Sequence, residues 1–193
     1  MVDVDEIGCD LLSATGRKYL RGPRGTGMLY VRSSIVESLR PSQPDHHGAQ
    51  LVDADRFEYV EGARRFEYWE HNVAGWLGLG AAVDHALGWG LDRIEVTVAE
   101  RAAQLRERLT DAGLTVWDEG VERCGIVTVT HPRVDAEVLC ARLSDHRINA
   151  TTTPVGSSRW DVERRHLPTL LRLSVHVTTT VDELDRAVDV LGR

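Results

Sequence analysis

The chain has 193 residues, 42% of them apolar, a formal net charge of −7 and an isoelectric point near 5.6. That length holds one large or two small domains with a real core; the acidic balance argues against nucleic acid as a partner, and no apolar run approaches the ~18 residues of a membrane helix. The opening MVDVDEIGCD is acidic, unlike a secretory leader, and Cys9, Cys124 and Cys140 are scattered without metal spacing, so they read as reduced core thiols of a cytoplasmic protein.

In chain order, Leu11 and Leu12 end a strand-like run. Ser13, Thr15 and Gly16 then make a small hydroxyl-rich turn, followed by Arg17, Lys18, the glycines of GPRGTG and a strand-like MLYV. Lys18 is the one lysine, against 22 arginines. A chain that uses Arg for its solvated cations and keeps one Lys points to chemistry a guanidinium cannot do, because only the amine loses its proton and forms a Schiff base. The bland alternative is an accident of Arg-rich composition beside an ordinary turn. Thr15 and Arg17 are suited to holding a phosphate through charge-assisted hydrogen bonds.

SSIVESL, residues 33–39, predicts a short helix capped by Ser33 or Ser34 and stopped by Pro41. Residues 41–50 read as a loop. Its adjacent His46 and His47 lack the further ligands a metal needs. Val73 to Leu87 has helical spacing and many small residues, which permit close packing. Asp92 to Ala112 predicts an amphipathic helix with Ile94, Val98, Leu105 and Leu109 on one stripe. Glu100, Arg101, Arg106, Glu107 and Arg108 fall largely outside it, as a solvated face. Strands follow at 114–117 and 125–131, then a helix at 135–145 with Ala136, Leu139, Cys140 and Leu143 inward. Two more strands are expected at 148–153 and 170–176. Thr180 with Glu183 forms a capping box for the last helix. The interleaving predicts an α/β sandwich with helices against one sheet. Arg172 lies mid-strand between apolar neighbours. Either its planar fork grips a carboxylate in two-point fashion, or it faces solvent like most arginines.

Three stretches resemble the class V aminotransferase family, pyridoxal-phosphate enzymes of fold type I. SATGRKYLRGPRGTGMLYV is similar to the family's cofactor-lysine segment, roughly S-G-H-K, then G-P, then G-x-G and an apolar strand. The resemblance makes Lys18 the Schiff-base lysine, with Arg17 at the phosphate where many relatives have His. RRFEYWEHNVAGWLGLGAAVDHAL resembles R-F-E-x-G-T-P-N before a Gly/Ala-rich helix, a loop that in relatives reaches the other subunit's active site. Trp69-Glu70-His71-Asn72 replaces the G-T-P-N. Glu70 at the Thr position would repel a phosphate, so the contact is remade by Asn72 or a backbone amide, or is lost. Trp69 alternatively packs at a subunit interface. LRLSVHVTTTVDELDRAV is similar to R-x-S-x-H-x-Y-N-T-x-E-E-[IL]-D, which makes Arg172 the ligand of the substrate α-carboxylate.

The resemblance implies the C-terminal part of such a fold. Residues 1–45 would be the tail of the large cofactor domain, 46–90 an interdomain loop and helix, and 91–193 the small domain. Only 17 residues precede Lys18, so the chain reads as an N-terminally truncated enzyme. Desulfurases of the family carry a nucleophilic Cys before the Arg, whereas residues 147–171 contain none. The wording I-N-A-T-T-T-P-x-x-S-S-R-W-D looks more like the hercynylcysteine sulfoxide lyase and isopenicillin N epimerase-like branch. The function implied is a homodimeric lyase or aminotransferase-like enzyme acting through a Lys18 aldimine on an amino acid with a free carboxylate. The alternative is a catalytically inactive fragment that folds or forms subunit contacts. GPRGTG lacks the spacing of a nucleotide-phosphate loop.

Overall fold

The computed structural model describes residues 2–192. Two compact units divide between residues 91 and 92.

In the first unit a helical turn, α1 (Val4–Ile7), starts at Asp3, whose carboxylate accepts the amides of Asp5 and Glu6, and ends at Gly8 with φ 69°. That left-handed conformation favours glycine. Strand β1 (Leu11–Thr15) pairs antiparallel with β2 (Gly27–Val31) in unbroken register from Leu11 opposite Val31 to Thr15 opposite Gly27. The strand therefore begins at Leu11, where sequence reading ends it. Ser13 and Thr15 belong to β1 because backbone pairing with a distant segment outweighs their turn preference. Helix α2 (Ser33–Val36) is shorter than expected, and its cap is Arg32, without a side-chain cap bond, rather than a serine. Hairpin β3 (Ala49–Asp53) and β4 (Arg56–Tyr59) stands where the sequence reads as loop at 41–50 and gives no element beyond. Helix α3 (Val73–Trp89) closes the unit.

The second unit opens with α4 (Leu91–Asp111) and builds a four-stranded antiparallel sheet in the order β5-β6-β8-β7. Its strands are β5 (Thr115–Val116), β6 (Ile126–Thr130), β7 (Thr151–Thr153) and β8 (Leu170–Ser174). Helices α5 (Ala136–Asp145), α6 (Arg159–Arg164) and α7 (Val181–Leu191) complete it. Strand alternation splits the sheet into two faces. One carries Val127, Val129, Leu171 and Leu173, all buried with Leu105 and Leu109 of α4, Leu139 and Leu143 of α5 and Leu184 and Leu191 of α7. The Thr180 and Glu183 capping box of α7 is present as read.

Two side chains depart from expectation. Arg106 is not on a solvated face: it is 6% exposed, donating from Nε to Asp118 Oδ2 at 2.7 Å and from Nη2 to Cys124 O at 2.7 Å. Its partners lie on the far side of a turn, beyond the reach of helix periodicity. Cys124 is exposed rather than a core thiol; Cys9 and Cys140 are half-buried, and all three are free. No helix among the described residues is long and apolar enough to cross a membrane.

Candidate functional site

Lys18 sits in the loop of residues 16–26 that joins β1 to β2. The loop is closed by its own backbone. Gly16 N donates to Thr26 O at 2.8 Å, Gly22 N to Gly16 O at 2.8 Å and Arg21 N to Lys18 O at 2.9 Å. The buried Thr26 donates from Oγ1 to Pro23 O at 2.7 Å. Arg21 adopts φ 56°, a left-handed conformation costly to a side chain that large. Helix α3 presses on this loop from within the unit. A β-carbon at Gly16 would lie 2.6 Å from Leu79 Cδ1, and one at Gly78 would lie 2.7 Å from Pro23 Cγ. The small residues of α3 and the glycines of the loop thus permit an approach that larger side chains would block.

The side chains of Lys18 and Arg17 are exposed and make no hydrogen bond or ion pair among the described residues. Thr15 Oγ1 donates to Thr26 O at 3.5 Å, at the limit of a hydrogen bond. Asn72 caps α3, its Oδ1 accepting Gly75 N at 2.8 Å. A β-carbon at Gly75 would fall 2.9 Å from Asn72 Nδ2 and 3.2 Å from Thr26 Cγ2, so the Asn72 amide and the end of the lysine loop approach one point. Thr15, Arg17, Lys18 and Asn72 all belong to the first unit.

The segment before Asn72 is held by a residue that sequence reading passed over. Asp45 accepts Trp69 N at 2.8 Å, His47 N at 2.8 Å and Gly48 N at 3.3 Å. These amides, that of Trp69 first, hold its carboxyl below the usual aspartate range. Trp69 remains 56% exposed, its ring near those of His46 and His47. His71 stacks on Trp76 with centroids 4.0 Å apart. Among the described residues no His, Cys, Asp and Glu group has the makings of a metal site.

Arg172 lies in the second unit, on the sheet face away from the three helices. Its register partners are Thr128 on β6 and Thr151 on β7. Its Nε is shielded from solvent without a hydrogen-bond partner, and the guanidinium makes no ion pair among the described residues. A buried donor without an acceptor is costly and calls for an explanation. An incoming acceptor group of matching planar shape is one.

A family pattern described as Aminotransferase class-V matches residues 1–187. The chain is 32% identical over 189 residues to a probable hercynylcysteine sulfoxide lyase of Mycobacterium tuberculosis (strain CDC 1551 / Oshkosh), a match covering 96% of this chain and 45% of that protein. It is 28% identical over 204 residues to an isopenicillin N epimerase of Amycolatopsis lactamdurans, covering 98% of this chain and 48% of that protein. Among solved structures, apo cysteine desulfurase from Thermococcus onnurineus NA1 superposes with a TM-score of 0.89 at 24% identity, over 98% of this chain and 48% of that one. The chain spans about half the length of the relatives it matches.

Proposed function

Because the chain belongs to the class V aminotransferase family and has a fold type I architecture, we propose that it is a pyridoxal-phosphate-dependent enzyme working on an amino-acid substrate at Lys18. The observation that carries this reading is the sole lysine, set on a loop braced by α3 and left without an internal partner. An amine already committed to a carboxylate would not be available; this one is. The neighbouring groups fit the cofactor as well. Arg17 offers a free cation, Thr15 a weakly engaged hydroxyl and Asn72 an uncommitted Nδ2, a donor set that suits a phosphate.

Bound pyridoxal phosphate supplies an electron sink for negative charge at the substrate α-carbon. Lys18 Nζ would hold the cofactor and move the substrate α-proton as general base. Arg17, Thr15 and Asn72 would hold its phosphate. Arg172 offers its fork to the substrate carboxylate. Residues 147–171 contain no cysteine, so the reading favours a C–S lyase in which sulfur is not passed to a thiol of that segment. The protein named as a lyase among its relatives supports the same class. The exposed Trp69 and Trp76 favour a homodimer contact near Asn72. We place the protein in the cytoplasm, in keeping with its free thiols.

The test uses the isolated lysine. Borohydride reduction in the presence of pyridoxal phosphate is expected to label Lys18 well above the N-terminal amine, as read by peptide mass spectrometry. Phosphate-free pyridoxal should label it much less. Equal, indiscriminate labelling of the two amines would remove the assignment. The chain would then be the inactive fragment.

A further inference from the structure

The second unit carries a cavity of about 240 Å³ between the residues that follow α5, the end of β8 and helix α7. Its floor is apolar and buried: Leu105 of α4, Leu173 and Val175 at the end of β8, and Leu184 and Ala187 of α7. Leu173 lies on the sheet face opposite that of Arg172. The rim is polar. Asn149, Ser174 and Thr179 contribute to it together with three charged residues, Arg147, Glu183 and Arg186. The volume exceeds the ~150 Å³ that encloses a benzene ring and falls short of the ~300 Å³ at which drug-sized sites begin. It suits a ligand the size of one amino acid.

The two cations are brought together by the end of α5. Arg147 N donates to Ser144 O at 2.9 Å and Ile148 N to Leu143 O at 2.9 Å, with Arg147 at φ 59°. Glycine usually fills this left-handed position; here an arginine occupies it and lines the cavity. Arg186 donates from Nη2 to His146 O at 3.3 Å. That carbonyl belongs to the peptide group that carries Arg147 N, so Arg186 ends where Arg147 starts. Neither guanidinium has an ion-pair partner among the described residues.

Glu183 and Arg186 are three apart on α7, a spacing at which opposite charges are neighbours. They do not pair. Glu183 turns back to the helix start, where its Oε2 accepts Thr180 N at 2.8 Å and Thr180 Oγ1 at 3.3 Å. Its Oε1 has no partner among the described residues. Arg101 is engaged with Thr179 O at 3.3 Å and Gln104 Oε1 at 3.2 Å and does not line the cavity. The rim thus combines two uncompensated cations with one carboxylate that still has an oxygen to offer, above an apolar floor.

A simple anion entering here meets the Glu183 carboxylate, and a simple cation meets two arginines. A zwitterion answers all three charges, with its carboxylate at the guanidinium groups and its ammonium at Glu183. In an α-amino acid those two groups stand roughly 2.5 Å apart across the α-carbon. We propose that this cavity is a second amino-acid site, which takes a free α-amino acid with a short aliphatic side chain resting on Leu173, Leu184 and Ala187. The proposal does not depend on the roles given to Lys18 and Arg172.

The full chain is titrated with L-valine, with isovalerate, which lacks the ammonium, and with isobutylamine, which lacks the carboxylate. The Ala187 methyl and Asn149 side-chain amide resonances report binding. L-valine is expected to shift both and to bind at least tenfold tighter than either fragment. Glu183→Gln removes the charge and keeps the helix cap, since Gln also serves at that position. It should weaken L-valine about fivefold or more and leave isovalerate no weaker. Arg147→Gln and Arg186→Gln should each weaken both L-valine and isovalerate. Arg172→Lys should leave the L-valine titration of the two resonances unchanged. No shift with L-valine, or a fragment that binds as tightly as L-valine, overturns the site without recourse to any variant. Loss of both shifts in Arg172→Lys would mean that L-valine binds at the carboxylate ligand of the proposed active site, which overturns the second site and leaves the proposed function standing.

Discussion

Three arginines show how differently one residue type is used. Arg65 is 4% exposed and fully engaged. It donates from Nε to Val60 O at 3.2 Å and from Nη1 to Val36 O at 3.0 Å and Leu39 O at 3.2 Å, and it pairs with Glu37. Arg106 is likewise committed to Asp118 and two carbonyls. Arg172 is partly buried and uncommitted. Arg65→Met should therefore destabilise the first unit by about 3 kcal/mol, since several buried carbonyls lose their donor. Arg172→Met should be neutral or stabilising, because it removes an unsatisfied donor without leaving one behind. Denaturant unfolding of the two variants checks this. A large loss from Arg172→Met would mean that the residue is structural. In the active enzyme, Arg172→Lys should raise KM on the order of tenfold, as loss of a two-point contact costs about 1.4 kcal/mol. Cofactor absorbance should survive it. Arg17→Ala should instead weaken cofactor retention first. The wording around Lys18 and Arg172 singles both residues out in the sequence. Arg106 is not singled out, because a helical stripe reveals only neighbours on the same helix, and Asp118 lies 12 residues away.

At the scale of elements, what could be read was what local chemistry decides. The last helix announces itself by Thr180 and Glu183, and Thr180→Ala should cost about 1 kcal/mol. Thermal unfolding of the second unit measures it. The long helices followed from their apolar period. The hairpin β3–β4 escaped because nearly all its residues are exposed, so no alternation of buried and exposed positions marks it. Asp45 escaped for another reason: its three amide partners are set by the chain's return at Trp69. Its folded-state pKa is lowered, so its contribution is present above the ordinary aspartate value and is lost as pH falls through the folded one. Amide exchange at Trp69, His47 and Gly48 should therefore accelerate below about pH 4. Asp45→Asn should show the fast exchange at neutral pH. Slow exchange in that variant would count against the clamp.

For the molecule as a whole, the distribution of apolar surface matters more than its amount. In the first unit Leu51, Phe57, Trp69, Val73 and Leu77 are each about half exposed or more, and so is Leu11 of β1. Exposed apolar groups on this scale mark surfaces made for other protein. The purified chain is expected to self-associate, with light scattering giving a mass above 21.5 kDa that falls on dilution. A concentration-independent monomer would contradict this. The family was legible from three short motifs, since they specify backbone and chemistry together. No change of composition marks the division near residue 91; the start of a small domain at 91 was read from the resemblance alone.

The loop that displays Lys18 has one more consequence. An endoprotease that cuts only after lysine has a single place to act, on an exposed segment between two paired strands. Cleavage there would leave residues 1–18 held by the ladder from Leu11–Val31 to Thr15–Gly27 and by the bonds of Arg32 to Asp5, Asp10, Val4 O and Cys9 O. The nicked chain should stay in one piece until denatured, then release a short peptide. Its rate of cutting becomes a clock for the loop: occupancy of the lysine by any aldehyde should stop it.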